Sequence, residues 1–409
     1  MQGEIQSKKL ENMGRELDLR ERLEACVNVV RQTREFWDHR PFIERSAPWE
    51  TSRPELSRWL RQLKTEQIDR FESGIITTGP LRHLCEQVSQ VSHIATLSDA
   101  PGRVPQWRRI KARKRDQIHW FRRALIGHFR AHSVHCLVDW CGGKGHLSRV
   151  LSADGQQAVT VVDTNARLLA QATELYGAST TWVTTCQADV SERALRLPND
   201  AGLVGLHACG SLTDNAIRSA VDSSCRWLAV VPCCHHKAPS TGWRPMSQTL
   251  RELGVQLSPN GLRLTIADEV TASPKLRARR RRRMVWRVGA DLLLREATGV
   301  DQWHPLQELP MSAYGLDYAE YCAAALAAKG LSLPRGWQAT AHRQQAQQTL
   351  RIGRALSLPR GVVRPALETL CVLDRARWLQ ESGWQVEVMR FCPAHVTPRN
   401  LLIFARPRP

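Results

Sequence analysis

The rhythm of apolar and polar positions changes once along this chain, at about residue 134. Before it, apolar residues recur at three- and four-residue spacing, as in LSRWLRQLKTEQIDRFE (56–72), the mark of helices with one buried face. After it, short apolar runs alternate with helix-sized amphipathic segments, the pattern of βαβ units on a parallel sheet. The runs HCLVDWC, QAVTVVD, TTWVTTCQAD, GLVGLHA and RWLAVVPC read as five strands. Between them GHLSRVLSA, NARLLAQATELYG, SERALRL and LTDNAIRSAV are compatible with helices. No sixth strand follows at once, because a proline-rich and then helical stretch intervenes. PALETLCVLDRARWLQESG then reads as an amphipathic helix, and WQVEVMRFC and NLLIFARP as two last strands joined by PAHVTPR. The segment 100–115, APGRVPQWRRIKARKR, reads as a proline-broken basic linker into a helix with Trp120, Phe121, Leu125 and Ile126 on its apolar face. The expected division is 1–130 for an N-terminal helical domain, 131–240 for the strand core, 241–362 for a basic helical insertion, and 363–409 for completion of the core.

Five βα units closed by a helix and a terminal hairpin follow the class I methyltransferase plan, whose last strand enters antiparallel. A dinucleotide-binding Rossmann domain would end on a parallel strand. The expected fold is therefore α/β, a seven-stranded Rossmann-like sheet with an N-terminal helical domain and a helical insertion after strand 5. The first strand turns through VDWCGGKGHLSR (138–149), where an acid is followed by three glycines within four positions. Glycine lacks a Cβ, so such a bend lets backbone amides approach a ligand closely. A phosphate-cradling P-loop needs Ser or Thr after its Lys, and Gly145 follows Lys144 here. A dinucleotide fingerprint starting at Gly143 puts Ser148 where its third glycine belongs. The methyltransferase form, acid-x-G-x-G-x-G, fits Asp139, Gly143 and Gly145, with Gly142 beside them, but places Cys141 at its first glycine.

The next strands add acids. Asp163 ends VTVVD, 24 residues after Asp139, where a carboxylate can accept the ribose hydroxyls of an adenosine. NAD enzymes share that feature. Asp189 closes the third strand, where class I methyltransferases set a polar group against the adenine amine and NAD enzymes have no regular counterpart. Acids at three successive strand ends favour S-adenosylmethionine over a nicotinamide cofactor. Each acid taken singly also suits a helix N-cap.

Four blocks, DWCGGKGHLSR, LHACGSLTD (206–214), VPCCHH (231–236) and TPRN (397–400), together resemble the Rossmann-like methyltransferase family that includes the methyltransferase-like 25 proteins and their bacterial relatives. LHACG and PCCHH also resemble transfer RNA 2′-O-methyltransferases that modify the acceptor stem. The resemblance spans about 134–236 and 365–405. It implies S-adenosylmethionine as cofactor, held by Asp139, Gly142, Gly143, Gly145, Asp163 and Asp189, and leaves the acceptor open. On this plan the methyl group emerges near the ends of the fourth and fifth strands. His207, Cys233 and His235 are the candidate catalytic groups there, His207 first as acceptor contact or general base. Cys209, Cys234, His236, Arg399 and Asn400 are candidates for acceptor binding. A Pro-Cys thiol could also act as a nucleophile. Alternate strand residues face opposite sides, so no more than one of the two adjacent thiols is expected to point at the site. Four ligands crowded into CCHH cannot all reach one tetrahedral ion, so no metal is expected.

Charge narrows the partner class. The 409 residues carry 58 Lys and Arg against 39 Asp and Glu, a formal net charge of +19, partly in KLRARRRRR (275–283). Such a surface attracts polyanions with strong salt dependence. RNA or a ribonucleoprotein is the expected partner, and a methyltransferase acting on rRNA or tRNA the leading function. A protein methyltransferase acting on a ribosomal or other RNA-associated protein, and a non-catalytic nucleic-acid-binding module, stay open beside it. An NAD(P)-dependent oxidoreductase is disfavoured by Ser148, Asp189 and the hairpin. Twelve cysteines in a chain of this length suggest thiols in a reducing compartment rather than a disulfide scaffold. No run reaches the roughly 18 apolar residues of a membrane span, and the N-terminus has no apolar block. The expected location is the cytoplasm.

Overall fold

A computed structural model describes residues 18–40, 42, 44, 46–74, 79–97, 110–131, 134, 136–153, 157–176, 182–191, 195–237, 242–266, 272–302 and 311–409. Residues 100–109 of the basic segment lie outside that set. The seven expected strands are all present: β1 (Cys136–Trp140), β2 (Ala158–Asp163), β3 (Val183–Gln187), β4 (Gly202–Cys209), β5 (Trp227–Cys233), β6 (Trp384–Arg390) and β7 (Leu401–Pro407). They form one sheet in the order β3-β2-β1-β4-β5-β7-β6. β1 to β5 are parallel, and β7 runs antiparallel between β5 and β6. This is the class I methyltransferase topology.

Successive strand residues face opposite sides of the sheet, and both sides are covered, which is why the strand runs are apolar almost throughout. On one side Val138, Val162, Leu203 and Leu228 pack with Ile217 and Leu379, which belong to the helices Ser211–Asp222 and Leu358–Glu381. On the other, Leu137, Val159, Val204 and Ala229 pack with Ile118, Phe121, Leu125 and Leu147. The first three of those residues lie on the helix Ala112–Ala131, which therefore covers the sheet and is not part of a separate N-terminal domain. No helix forms in the described part of SERALRL.

The chain divides into two compact units. The first comprises 1–31, 89–268 and 365–409; the second comprises 32–88 and 269–364. The expected boundaries at 130 and 241 thus move: 241–268 stays with the first unit, where Met246 enters the sheet core. Its anchor is the buried carboxylate of Asp374, which accepts Met246 N at 2.8 Å, Ser247 N at 2.9 Å and Ser247 Oγ at 2.7 Å. In the second unit Trp286, Tyr318, Tyr321, Leu326 and Leu350 form a core between the helices Pro274–Thr298, Tyr318–Ala327 and Ala339–Leu356. Arg354, on the last of these, donates to Asp69 and Glu72 at 2.5 Å, and so joins the early helices of the chain to this unit.

Candidate functional site

The bend after β1 is built from left-handed residues. Cys141, Gly143 and Gly145 have φ of 57°, 58° and 65°. Cys141 thus adopts the conformation that a glycine at the first position of the pattern would supply, at a local cost of about 1–3 kcal/mol. Gly142 is required for space, because a Cβ there would meet the Asp139 carboxylate at 2.7 Å. Gly143 N donates to Asp163 Oδ2 at 3.0 Å, and Asn165 N to Oδ1 at 2.9 Å. The end of β2 is thereby clamped to the bend.

Asp139 itself is only 2% exposed. It accepts Ser148 Oγ at 2.6 Å. Burial pushes its pKa up to about 6, against the opposing pull of Ser148 and the Lys114 ammonium. Expected to touch cofactor, it instead braces the bend from beneath, since a side chain this enclosed has no open face for a ligand. Asp189 is exposed, and its Oδ1 accepts both Ser191 N and Ser191 Oγ, which lower its pKa.

At the far ends of β4 and β5 the register breaks. Leu206 pairs with Val231 and Ala208 with Pro232, which leaves His207 as a bulge with φ of 69°. Bulges re-aim a side chain at the cost of local strain. The His207 ring reaches Gln117 on the helix Ala112–Ala131, with Nε2 3.3 Å from Oε1, while Nδ1 is buried without a hydrogen-bond partner. Burial, and then the positive charges of Lys114, Arg399 and Arg113, lower the ring's pKa to about 3, so it is neutral at physiological pH. Lys114 is itself lowered by burial, and Asp139 and Cys233 work against that shift.

The CCHH block separates by environment. Cys233 ends β5, 4% exposed, and Cys234 leaves the strand with φ of 51°. Both thiols therefore come to one side, contrary to the alternation expected along a strand, and Cys209 of β4 joins them 3.5 Å from Cys233. Hydrogen bonding from Cys233 is the main cause that lowers Cys234, to about 5, whereas Cys233 is raised by its neighbouring sulfurs. His235 is 2% exposed, with both ring nitrogens unpartnered, and burial lowers its pKa further than the nearby Arg375 does. Expected as a catalytic group, it is enclosed by the surrounding protein. His236 lies between, its Nδ1 also buried and unpartnered.

Asn400 likewise departs from expectation. It is 1% exposed, donates to Cys392 O at 2.6 Å and accepts from Arg390 Nη1 at 2.8 Å. Its amide braces the β6–β7 connection and is closed off from solvent there. Arg399 contributes its charge at His207. Residue patterns gave no indication of Lys114 or Gln117; their only signal was a basic helix start just before β1.

Residues 113–240 match a family described as a methyltransferase domain. The strand order of the chain is that of a class I methyltransferase fold. Solved structures similar to the chain include the methyltransferase domain of bacterial CtHen1, at 13% identity and TM-score 0.23 over 26% of this chain and 61% of that one. TehB from Haemophilus influenzae is similar at 17% identity and TM-score 0.23, over 26% of this chain and 39% of that one. N-methyltransferase NodS from Bradyrhizobium japonicum is similar at 13% and 0.24, over 29% and 67%. The chain thus spans less than two thirds of the first two. The cofactor of this domain class is S-adenosylmethionine, and the residues present fit it. After accepting two backbone amides, the partly exposed Asp163 carboxylate keeps a lone pair on each oxygen for a ribose, and Gly143 leaves the adjoining face of the bend bare of side chain. Among the described residues no helix is long and apolar enough to cross a membrane.

Proposed function

We propose that the protein is an S-adenosylmethionine-dependent methyltransferase whose acceptor is RNA. The donor supplies a methyl group on a sulfonium, so the protein's tasks are to align the acceptor and to take its proton. Asp163 and the bend at 141–145 hold the adenosine end. His207, neutral and fixed through Gln117, offers Nδ1 as a hydrogen-bond acceptor to the group being methylated.

The observation that carries the RNA assignment is the set of cations around that ring, Lys114, Arg399 and Arg113. They suit a phosphate-bearing acceptor. They also couple binding to chemistry, because phosphates over these cations weaken the repulsion that helps keep the ring unprotonated. Burial, the larger cause, remains, so His207 stays an aligning group first and a weak base second. The test is isothermal titration with S-adenosylmethionine, followed by transfer of labelled methyl to total RNA and to ribosomal protein fractions. Label in RNA is expected. Label confined to protein overturns the acceptor, and no donor binding overturns the activity. Asp163→Ala is expected to abolish measurable donor binding, and His207→Ala to lower methyl transfer at least about 100-fold without that loss.

A further inference from the structure

The sulfurs of Cys209, Cys233 and Cys234 all lie within 4.8 Å of one another, and Cys209 and Cys233 are 3.5 Å apart. Three thiolates around one ion with metal–sulfur bonds of about 2.3 Å stand about 3.8 Å apart in a tetrahedral arrangement and about 4.0 Å in a trigonal one. The observed spacings bracket those values, so small side-chain rotations close a site. We propose that this cluster is a binding site for a thiophilic divalent cation of the zinc class, with Cys209, Cys233 and Cys234 as its three protein ligands.

The backbone explains why three thiols converge here. Cys209 and Cys233 are directly paired in the β4–β5 register, which sets them side by side. Cys234 lies outside the strand in a left-handed turn, closed by Lys237 N donating to Cys234 O at 2.8 Å, and this brings its sulfur back to the same side. Gly210 N donates to Cys233 O at 2.8 Å, so the two strand ends are tied together. A side chain at Gly210 would run into Lys237, which keeps the position bare. Among the described residues no imidazole or carboxylate completes the group. Three protein ligands with a fourth position left over is the arrangement of reactive zinc sites rather than of closed structural ones. Binding sends the protons still held by the thiols to solvent and leaves one net negative charge on the ion and its three thiolates. Lys114 interacts with Cys233, and Lys237 with Cys209 and Cys234, so cations are in place to offset that charge. The inference stands on the thiols alone and is independent of the methyl-transfer reading.

The test is an anaerobic titration of the reduced, chelator-treated full-length chain with Co2+. One equivalent is expected to produce a thiolate-to-cobalt charge-transfer band in the near ultraviolet, and Zn2+ to displace it. Cys209→Ser, Cys233→Ser and Cys234→Ser are each expected to weaken binding at least 10-fold, whereas Cys85→Ser leaves it unchanged. Should a variant misfold, alkylation of the wild-type chain gives the same information: Zn2+ is expected to protect these three cysteines and not Cys85. The proposal is overturned if the reduced chain shows no band at one equivalent, if the band survives in Cys209→Ser and Cys234→Ser, or if Zn2+ protects none of the three.

Discussion

Two residues of the bend show how position sets chemistry. Asp139 is held by burial at a pKa of about 6, well above an unfolded aspartate near 3.9. Between those values the folded chain binds a proton that the unfolded chain releases, so this contribution is present below about pH 4 and is lost as pH rises through about 6. At pH 8 the ionised group costs up to about 3 kcal/mol. Asp139→Asn is therefore expected to gain stability over the parent at pH 8 and little at pH 4, read as urea midpoints; parallel pH dependences would mean that the carboxylate is not perturbed. Cys141, at φ of 57°, carries strain that glycine does not. Donor binding is expected to survive Cys141→Gly and to fall in Cys141→Val, whose branched side chain tolerates the left-handed region poorly.

At the scale of elements, buried charge ties the insertion-flanking helix to the helix Ser211–Asp222 beside it on the sheet. Arg375, on the helix Leu358–Glu381, donates to Asp214 Oδ1 at 2.7 Å and to Cys371 O at 2.7 Å, with its side chain only 3% exposed. Removing one partner of such a pair leaves an uncompensated charge, and Arg375→Ala is expected to cost about 3–5 kcal/mol in chemical denaturation. A loss below about 1 kcal/mol would mean that apolar packing alone seats the helix. The β4 bulge is a local device instead: the one extra residue at His207 turns a strand side chain toward Gln117. Hydrophobic alternation cannot report such an insertion, because the burial pattern of β4 runs on almost without a gap.

For the whole molecule, the excess of positive charge has more than one use. In the run 275–283, Arg281 pairs with Asp69 at 2.8 Å, Arg282 donates to Tyr314 O at 2.7 Å, and Arg283 lies 4.9 Å from the Tyr314 ring centre. These arginines help to build the second unit, whereas Lys275 and Arg279 are exposed. In a titration with RNA, the slope of log affinity against log salt is expected to fall in magnitude by up to about 0.7–0.9 for each of Lys275 and Arg279 neutralised, if each contacts a phosphate. Arg281→Ala is expected to act on stability first. An unchanged slope in the Lys275/Arg279 double variant would assign that stretch to solvent.

Strand number, the antiparallel last strand and the glycine bend were legible in the sequence, because parallel strands buried on both faces leave continuous apolar runs, a terminal hairpin reverses direction, and a tight turn demands glycine. Asp163 could be found the same way, since its place depends on one local βα unit. The roles of Asp139, His235 and Asn400 could not, because burial of a polar side chain depends on what packs over it from distant parts of the chain. Nor could Lys114 and Gln117, whose helix meets the site only through the fold. The three-thiol cluster is the clearest case: 24 residues separate Cys209 from Cys233, and only parallel pairing of their strands, with a left-handed turn at Cys234, sets the sulfurs together.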